Sequence, residues 1–223
     1  MASHPHPKID AFYEFLDRPI RLGARIVLAL LVIPMALSLV TPLWRMSMVA
    51  PQYPRGLRID LYSYRLAGGN HDHDIAEINE LNHYIGMTKV SRESMSDLDW
   101  LPFAFGLLIV VALRAAAIGS VRSLIDLSVL VGYVAVFSMA RFVYRLYTFG
   151  HYLDPRAPVH IEPFMPVVLG TRQVANFTTH SYPLVGTYLV LVFTGGLFAL
   201  TAWHLVRGYH ERWGGPATSE SSN

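Results

Sequence analysis

The stretch LPFAFGLLIVVALRAAAIGSVRSLIDLSVLVGYVAVFSMARFV, residues 101–143, decides the fold class. It holds two apolar runs, 101–118 and 123–143, separated by a short turn at 119–122. Each run approaches the roughly 20 apolar residues that a helix needs to cross a bilayer core. Lipid cannot satisfy exposed backbone polar groups, so such runs read as helices, and the tight turn makes them an antiparallel hairpin. Arg114 and Asp126 sit about one helical turn to either side of Gly119-Ser120, at similar depth. An ion pair there would lower their insertion cost. It reads as a structural clamp, with a proton or ion pathway as the other reading.

Working outward, two further runs have the same character: LGARIVLALLVIPMALSLVTPLW at 22–44, with Pro34 as an expected kink, and 182–206, with Gly195-Gly196 as a site of close helix contact. The first run is too long for the apolar part of a signal peptide and reads as an uncleaved helix. Composition agrees, because 52% of the residues are hydrophobic and only 15% are charged. The formal net charge is +2, from 18 Lys and Arg against 16 Asp and Glu, so charge points to neither nucleic acid nor an acidic tail. Absence of cysteine excludes disulfides, thiolate metal sites and covalently attached haem.

The expected fold is therefore all-α and integral to the membrane, with four transmembrane helices and two folded outer loops, the first a small strand-plus-helix cap. The segments are an N-terminal piece 1–21, helix 22–44, outer loop 45–100, helix 101–118, turn 119–122, helix 123–143, outer loop 144–181, helix 182–206 and tail 207–223. Trp44, Trp100, Tyr147 and Tyr182 fall where the runs meet one face, as an interfacial aromatic belt requires. Arg18, Arg21, Arg25, Arg122, Arg207 and Arg212 flank the other face on short segments, which places both termini in the cytoplasm. The outer loops then lie in the periplasm of a bacterial inner-membrane protein.

In the first loop, Leu57, Ile59 and Leu61 alternate as a short strand, Gly68-Gly69-Asn70 turns, and Asp74 is expected to cap a helix closed by Gly86. Continued helical spacing would put Glu80, His83 and Met87 on one face. The second loop is dense in Pro and Gly, yet apolar enough to pack, and is expected to fold against the first. Six of the ten histidines lie in these loops, with Met46, Met48, Met87, Met95 and Met165. Imidazole with thioether suits copper, and carboxylate widens the choice to zinc or iron. Each residue also has a plainer reading. His71 and His73 read as solvated, His83 as a packed helix residue, His151 with Asp154 as a turn device, and the methionines as adaptable filler.

The segments APQYPRGL (50–57), EINELNHYIGM (77–87), GHYLDPRAP (150–158) and NFT (176–178) resemble, in that order, the APxYPxGL, EINxLNHYIGM, GHxLDPxAP and NFT segments of a family of bacterial multi-pass membrane proteins. That family is associated with gene sets for nitrous oxide reductase, a periplasmic copper enzyme, and its copper supply. The resemblance implies a copper-related accessory role and singles out His83, Met87, His151 and Asp154 as candidate metal ligands. Expected partners are membrane lipid and a periplasmic copper protein or other membrane subunits, with no nucleic acid. The alternative is a quinol-linked electron-transfer or structural subunit that docks a periplasmic reductase. Haem is not expected, because His204 alone among the histidines lies on a span. No nucleophile and base arrangement stands out, so a non-catalytic role is favoured while enzyme activity stays open.

Overall fold

The computed structural model describes residues 13–174 and 177–213. In chain order its elements are α1 (Leu22–Ser38), β1 (Trp44–Ala50), β2 (Tyr53–Leu61), β3 (Leu66–Gly68), α2 (His73–Tyr84), α3 (Asp97–Ile118), α4 (Val121–His151), β4 (Gly170–Val174), β5 (Phe177–Pro183) and α5 (Val185–Trp213). The strands form one antiparallel sheet in the order β3-β2-β1-β5-β4. The all-α expectation with four transmembrane helices is overturned. Among the described residues three helices are long and apolar enough to cross a membrane, Asp97–Ile118, Val121–His151 and Val185–Gly208, and a five-stranded sheet accompanies them.

The helix expected over 22–44 stops at Ser38. Its polar end explains this: Ser38 Oγ donates to Met35 O at 2.7 Å, Thr41 Oγ1 donates to Leu37 O at 3.0 Å, and Pro42 disfavours helix in the residue before it. The 17 residues of α1 reach about 26 Å at 1.5 Å per residue, short of a bilayer core. Beyond the turn, Trp44 to Ala50 become a strand, which the alternation of Met46 and Met48 with Arg45 and Ser47 supports. The hairpin turn is as expected. Gly119 closes α3 at φ 69°, and Ser120 Oγ accepts the Ser123 N–H at 3.2 Å to open α4. Helix α4 then continues to His151, because Arg141 to Gly150 contains no proline to stop it.

Fully buried Leu28, Met35, Leu124, Leu127, Phe193 and Leu197 form the bundle core. Arg114 and Asp126 do not join it, nor each other. Both are exposed, since the buried faces of their helices run through Ala112, Ala115 and Ala116 and through Leu124, Leu127 and Ser128. The two central glycines of α5 differ. A Cβ on Gly196 would lie 2.7 Å from Leu31 Cδ2 of α1, whereas one on Gly195 meets open space. Gly196→Ala is expected to lower stability by about 1 kcal/mol and Gly195→Ala to change little, read as thermal unfolding in detergent.

The sheet joins the two loops. β1 pairs with β2 on one side and with β5 on the other. Arg45 and Asp60, directly opposite across β1 and β2, make a bidentate pair at 2.6 and 2.7 Å. Trp44 Nε1 donates to buried Ser181 Oγ at 2.7 Å, and Ser181 Oγ donates to Val168 O at 3.0 Å. The long second loop, expected without regular structure, thus supplies a hairpin. Met48, Leu57, Ile59 and Ile78 form the core under α2, where the Tyr53 hydroxyl donates to Glu77. That bond to a carboxylate raises the Tyr53 phenol above its ordinary range.

Candidate functional site

Helix α2 ends where the sequence placed its stop, and the ending redirects the chain. Gly86 has φ +76°, its N–H bonds His83 O at 3.3 Å, and the Met87 N–H bonds Asn82 O at 2.8 Å. Against this turn lies the 154–159 loop. The Asp154 N–H donates to Gly86 O at 2.8 Å, and the Val159 N–H donates to Tyr84 O at 3.0 Å. Two of the segments that carry the family resemblance, one from each loop, therefore interlock through their backbones.

The four candidate ligands take different places around this junction. His83 is exposed on the last turn of α2. Met87, past the left-handed Gly86, leaves the face of Glu80 and His83 and lines a concavity between the sheet and the helices. His151 ends α4, with Nδ1 3.0 Å from Tyr147 O and its ring stacked on Tyr147 at 3.8 Å. Asp154 Oδ1 accepts the Arg156 N–H at 2.9 Å, the turn role open to an aspartate before proline. Among the described residues no three His, Asp or Glu side chains are gathered so as to hold a metal ion. Asp74, expected as a helix cap, is buried within α2 and accepts the Arg58 N–H at 3.0 Å and an Asn70 amide hydrogen at 2.7 Å. His71 and His73 are exposed, and Asn70, His71 and Asp72 form a left-handed turn with φ of 48°, 56° and 69°. Asn176 lies outside the described residues, between β4 and β5.

A chamber of about 480 Å³ lies between one side of the sheet and the helices α3, α4 and α5. Its walls are apolar and rich in rings: Trp44, Trp100, Phe105, Phe142, Phe149 and Phe177 all border it. Trp44 lies 5.2 Å from Phe142, and Trp100 lies 5.1 Å edge-on to Phe137. One wall is charged. Arg141 Nε donates to Asp97 Oδ1 at 2.9 Å, Arg145 Nη2 lies 3.5 Å from Asp97 Oδ2 and donates to Ser96 Oγ at 3.0 Å, and Trp100 Nε1 donates to Asp97 Oδ1 at 3.1 Å. Two buried polar atoms of this wall, Arg145 Nε and Ser138 Oγ, have no hydrogen-bond partner within the described chain. Buried polar atoms are ordinarily satisfied, so these two are exceptions within the wall, and neither is open to solvent.

Sequence reasoning missed this cluster. Ser138, Arg141 and Arg145 follow helical spacing and share a face of α4, but ending the span at Val143 hid the pattern. Asp97 reaches Arg141 across 44 positions, which no local signal reveals.

The architecture defines a class: apolar helices capped by an antiparallel sheet, with an aromatic chamber between them and a cationic wall inside it. Comparison with protein-family models, curated proteins and solved structures finds no match.

Proposed function

We propose that this is a multi-pass protein of the bacterial inner membrane that binds a quinone-class molecule in the chamber and serves as an accessory subunit to a periplasmic reductase. The observation that carries the reading is the apolar, ring-lined chamber with Asp97, Arg141 and Arg145 on one wall. A quinone has complementary chemistry, with carbonyl oxygens that accept hydrogen bonds, a flat ring for the aromatic walls and an isoprenoid tail for the apolar remainder. Two arginines against one aspartate leave the wall with a net positive charge, which favours an electron-rich head. The stretch 19–43, longer than α1 itself, runs from the α3–α4 turn to the sheet, so both ends of the described chain lie on one side, and the arginines on the short flanks support a cytoplasmic location for that side and a periplasmic one for the sheet.

Trp44 and Trp100 border the chamber, so quinone binding is readable as fluorescence quenching. Titration of the detergent-purified protein with a short-chain quinone is expected to quench saturably. Ser138→Ala with Arg145→Gln is expected to weaken binding by about tenfold or more, the worth of a charge-assisted hydrogen bond. Linear quenching that is equal in the native protein and the variant, as partition into detergent produces, would overturn the reading.

A second reading rests on a different observation. Met35, Met46, Met48, Met87, Met95 and Met139, six of the eight methionines in the chain, border the same chamber. Thioethers suit Cu(I), and with the family resemblance this supports a copper-supply role in which the ligands are methionines rather than the His83, His151 and Asp154 set. Stoichiometric Cu(I) retained against a colorimetric chelator, and lost in Met46→Leu with Met87→Leu, would favour copper over quinone as the occupant.

A further inference from the structure

Helices α4 and α5 are joined at the end away from the sheet and share the chamber nearer to it. At the joined end Ser128 Oγ and Thr201 Oγ1, on two buried residues, are hydrogen-bonded at 2.7 Å. About one turn on, a Cβ on Gly132 would lie 3.8 Å from Phe198 Cζ, an ordinary packing distance. Helical spacing carries the same stripe of α4 on to Ala135 and Met139, and that of α5 on to Thr194 and Leu191. All four of these line the chamber. Among the described residues that line it, only Ala135, Met139 and Leu191 are exposed. On the α3 side Phe105 and Leu108 are buried, as are Val131 and Phe193 deeper in the bundle. A side chain that lines a cavity and also faces the outside stands at its mouth, so the chamber opens between α4 and α5.

Leu191 lies about 9 Å along α5 from Val185, and Ala135 about 21 Å along α4 from Val121. In a hydrocarbon layer about 30 Å thick, both distances put the mouth at the depth of the acyl chains rather than at the water boundary. Its rim is apolar, with Val136 and Val192 exposed beside it. Arg145 stands about 9 Å further along α4 than Met139, towards the sheet. An amphiphile with its head at the charged wall therefore has its tail directed at the mouth. We infer that the chamber is filled sideways from the bilayer through this opening, and that its occupant is a lipid-soluble amphiphile whose tail lies against Ala135, Met139 and Leu191 while the head lies inside. Lateral entry rests on the reading of the chamber as a site for a lipid-soluble molecule, whereas the identity of the head is read separately by the quenching titration.

Photolabelling of the full-length protein in phosphatidylcholine nanodiscs tests the route. The probe is a farnesyl-tailed benzoquinone with a diazirine midway along the tail, and adducts are mapped by tandem mass spectrometry. Simple exposure to lipid would favour Phe103 and Tyr133, 78% and 74% exposed, over Met139 and Leu191 at 55% and 58%. Lateral occupancy is expected to reverse that order severalfold, and excess unlabelled farnesyl quinone to remove the adducts at Met139 and Leu191 alone. Ala135→Phe, which fills the mouth from an exposed position, is expected to abolish the reversal, while Ala140→Phe, exposed on the same helix but outside the chamber, leaves it intact. Adducts that follow exposure, together with saturable quenching by the short-chain quinone, overturn lateral entry and leave the quinone site standing. Should quenching not saturate, a fatty acid with a mid-chain diazirine replaces the probe. Adducts at the mouth then uphold the entry and discard the quinone, and adducts that follow exposure discard both. An undiminished reversal in Ala135→Phe overturns the assignment of the mouth.

Discussion

Gly86→Ala is expected to lower the stability of the protein by about 3 kcal/mol, one of the two largest effects anticipated for a single substitution. Two costs combine. An L side chain at φ +76° sits in the left-handed region, disfavoured by about 1–2 kcal/mol. The new Cβ would also stand 2.8 Å from Asp154 O and 2.9 Å from Asp154 N. These are backbone atoms with no flexible end to yield, so the 154–159 loop must retreat and weaken the bonds Asp154 N–H to Gly86 O and Val159 N–H to Tyr84 O. Each is worth about 1 kcal/mol. The checks are thermal unfolding in detergent and limited tryptic digestion, where cleavage after Arg156 should accelerate. Unchanged digestion at Arg156 would show that the interlock of the two loops does not hold this segment.

Asp97→Asn is expected to cost about 2–3 kcal/mol. The carboxylate faces both Arg141 and Arg145, and its loss leaves two guanidinium groups on the wall of an apolar chamber with no opposing charge. Removing one partner of a buried pair commonly costs more, about 3–5 kcal/mol, but these side chains retain 24–32% of their exposure, which screens the effect. The diagnostic measurement is a double-mutant cycle. Arg141→Gln added to Asp97→Asn should restore part of the loss, because it removes one of the stranded charges. Additive losses would mean that Asp97 and Arg141 do not depend on each other for stability.

What the sequence disclosed divides by the range of the signal. Long apolar helices write a dense local pattern, so 101–118 and 123–143 were legible as helical, although the helices run longer, Asp97–Ile118 and Val121–His151, and the Gly119-Ser120 turn was legible from its own chemistry. Gly86 was readable as a helix stop for the same reason. The sheet was not, apart from β2. β1 follows directly on an apolar run that masked its alternation, and the pairing of Met48 with Thr179 joins residues that no local window contains. β5, FTTHSYP, is too polar to announce itself as a strand. Among the candidate ligands, Met87 was placed on the wrong face, because helical spacing was carried past the glycine that ends it. His151 was assigned to a loop although it ends a 31-residue helix. The charged wall was invisible for a related reason, since it needs both the extended α4 and a distant aspartate.

The adjacency of β1 and β5 also sets a timetable for biogenesis. Trp44 and Ser181, bonded to each other, lie 137 positions apart, so during synthesis β1 must wait for almost the whole chain before its second neighbour exists. Through that interval the nascent chain carries an unpaired strand edge beside the membrane, the kind of edge that recruits foreign strands. Quality control that recognises such an edge would act on chains stalled before residue 177 and spare those that have delivered the final hairpin.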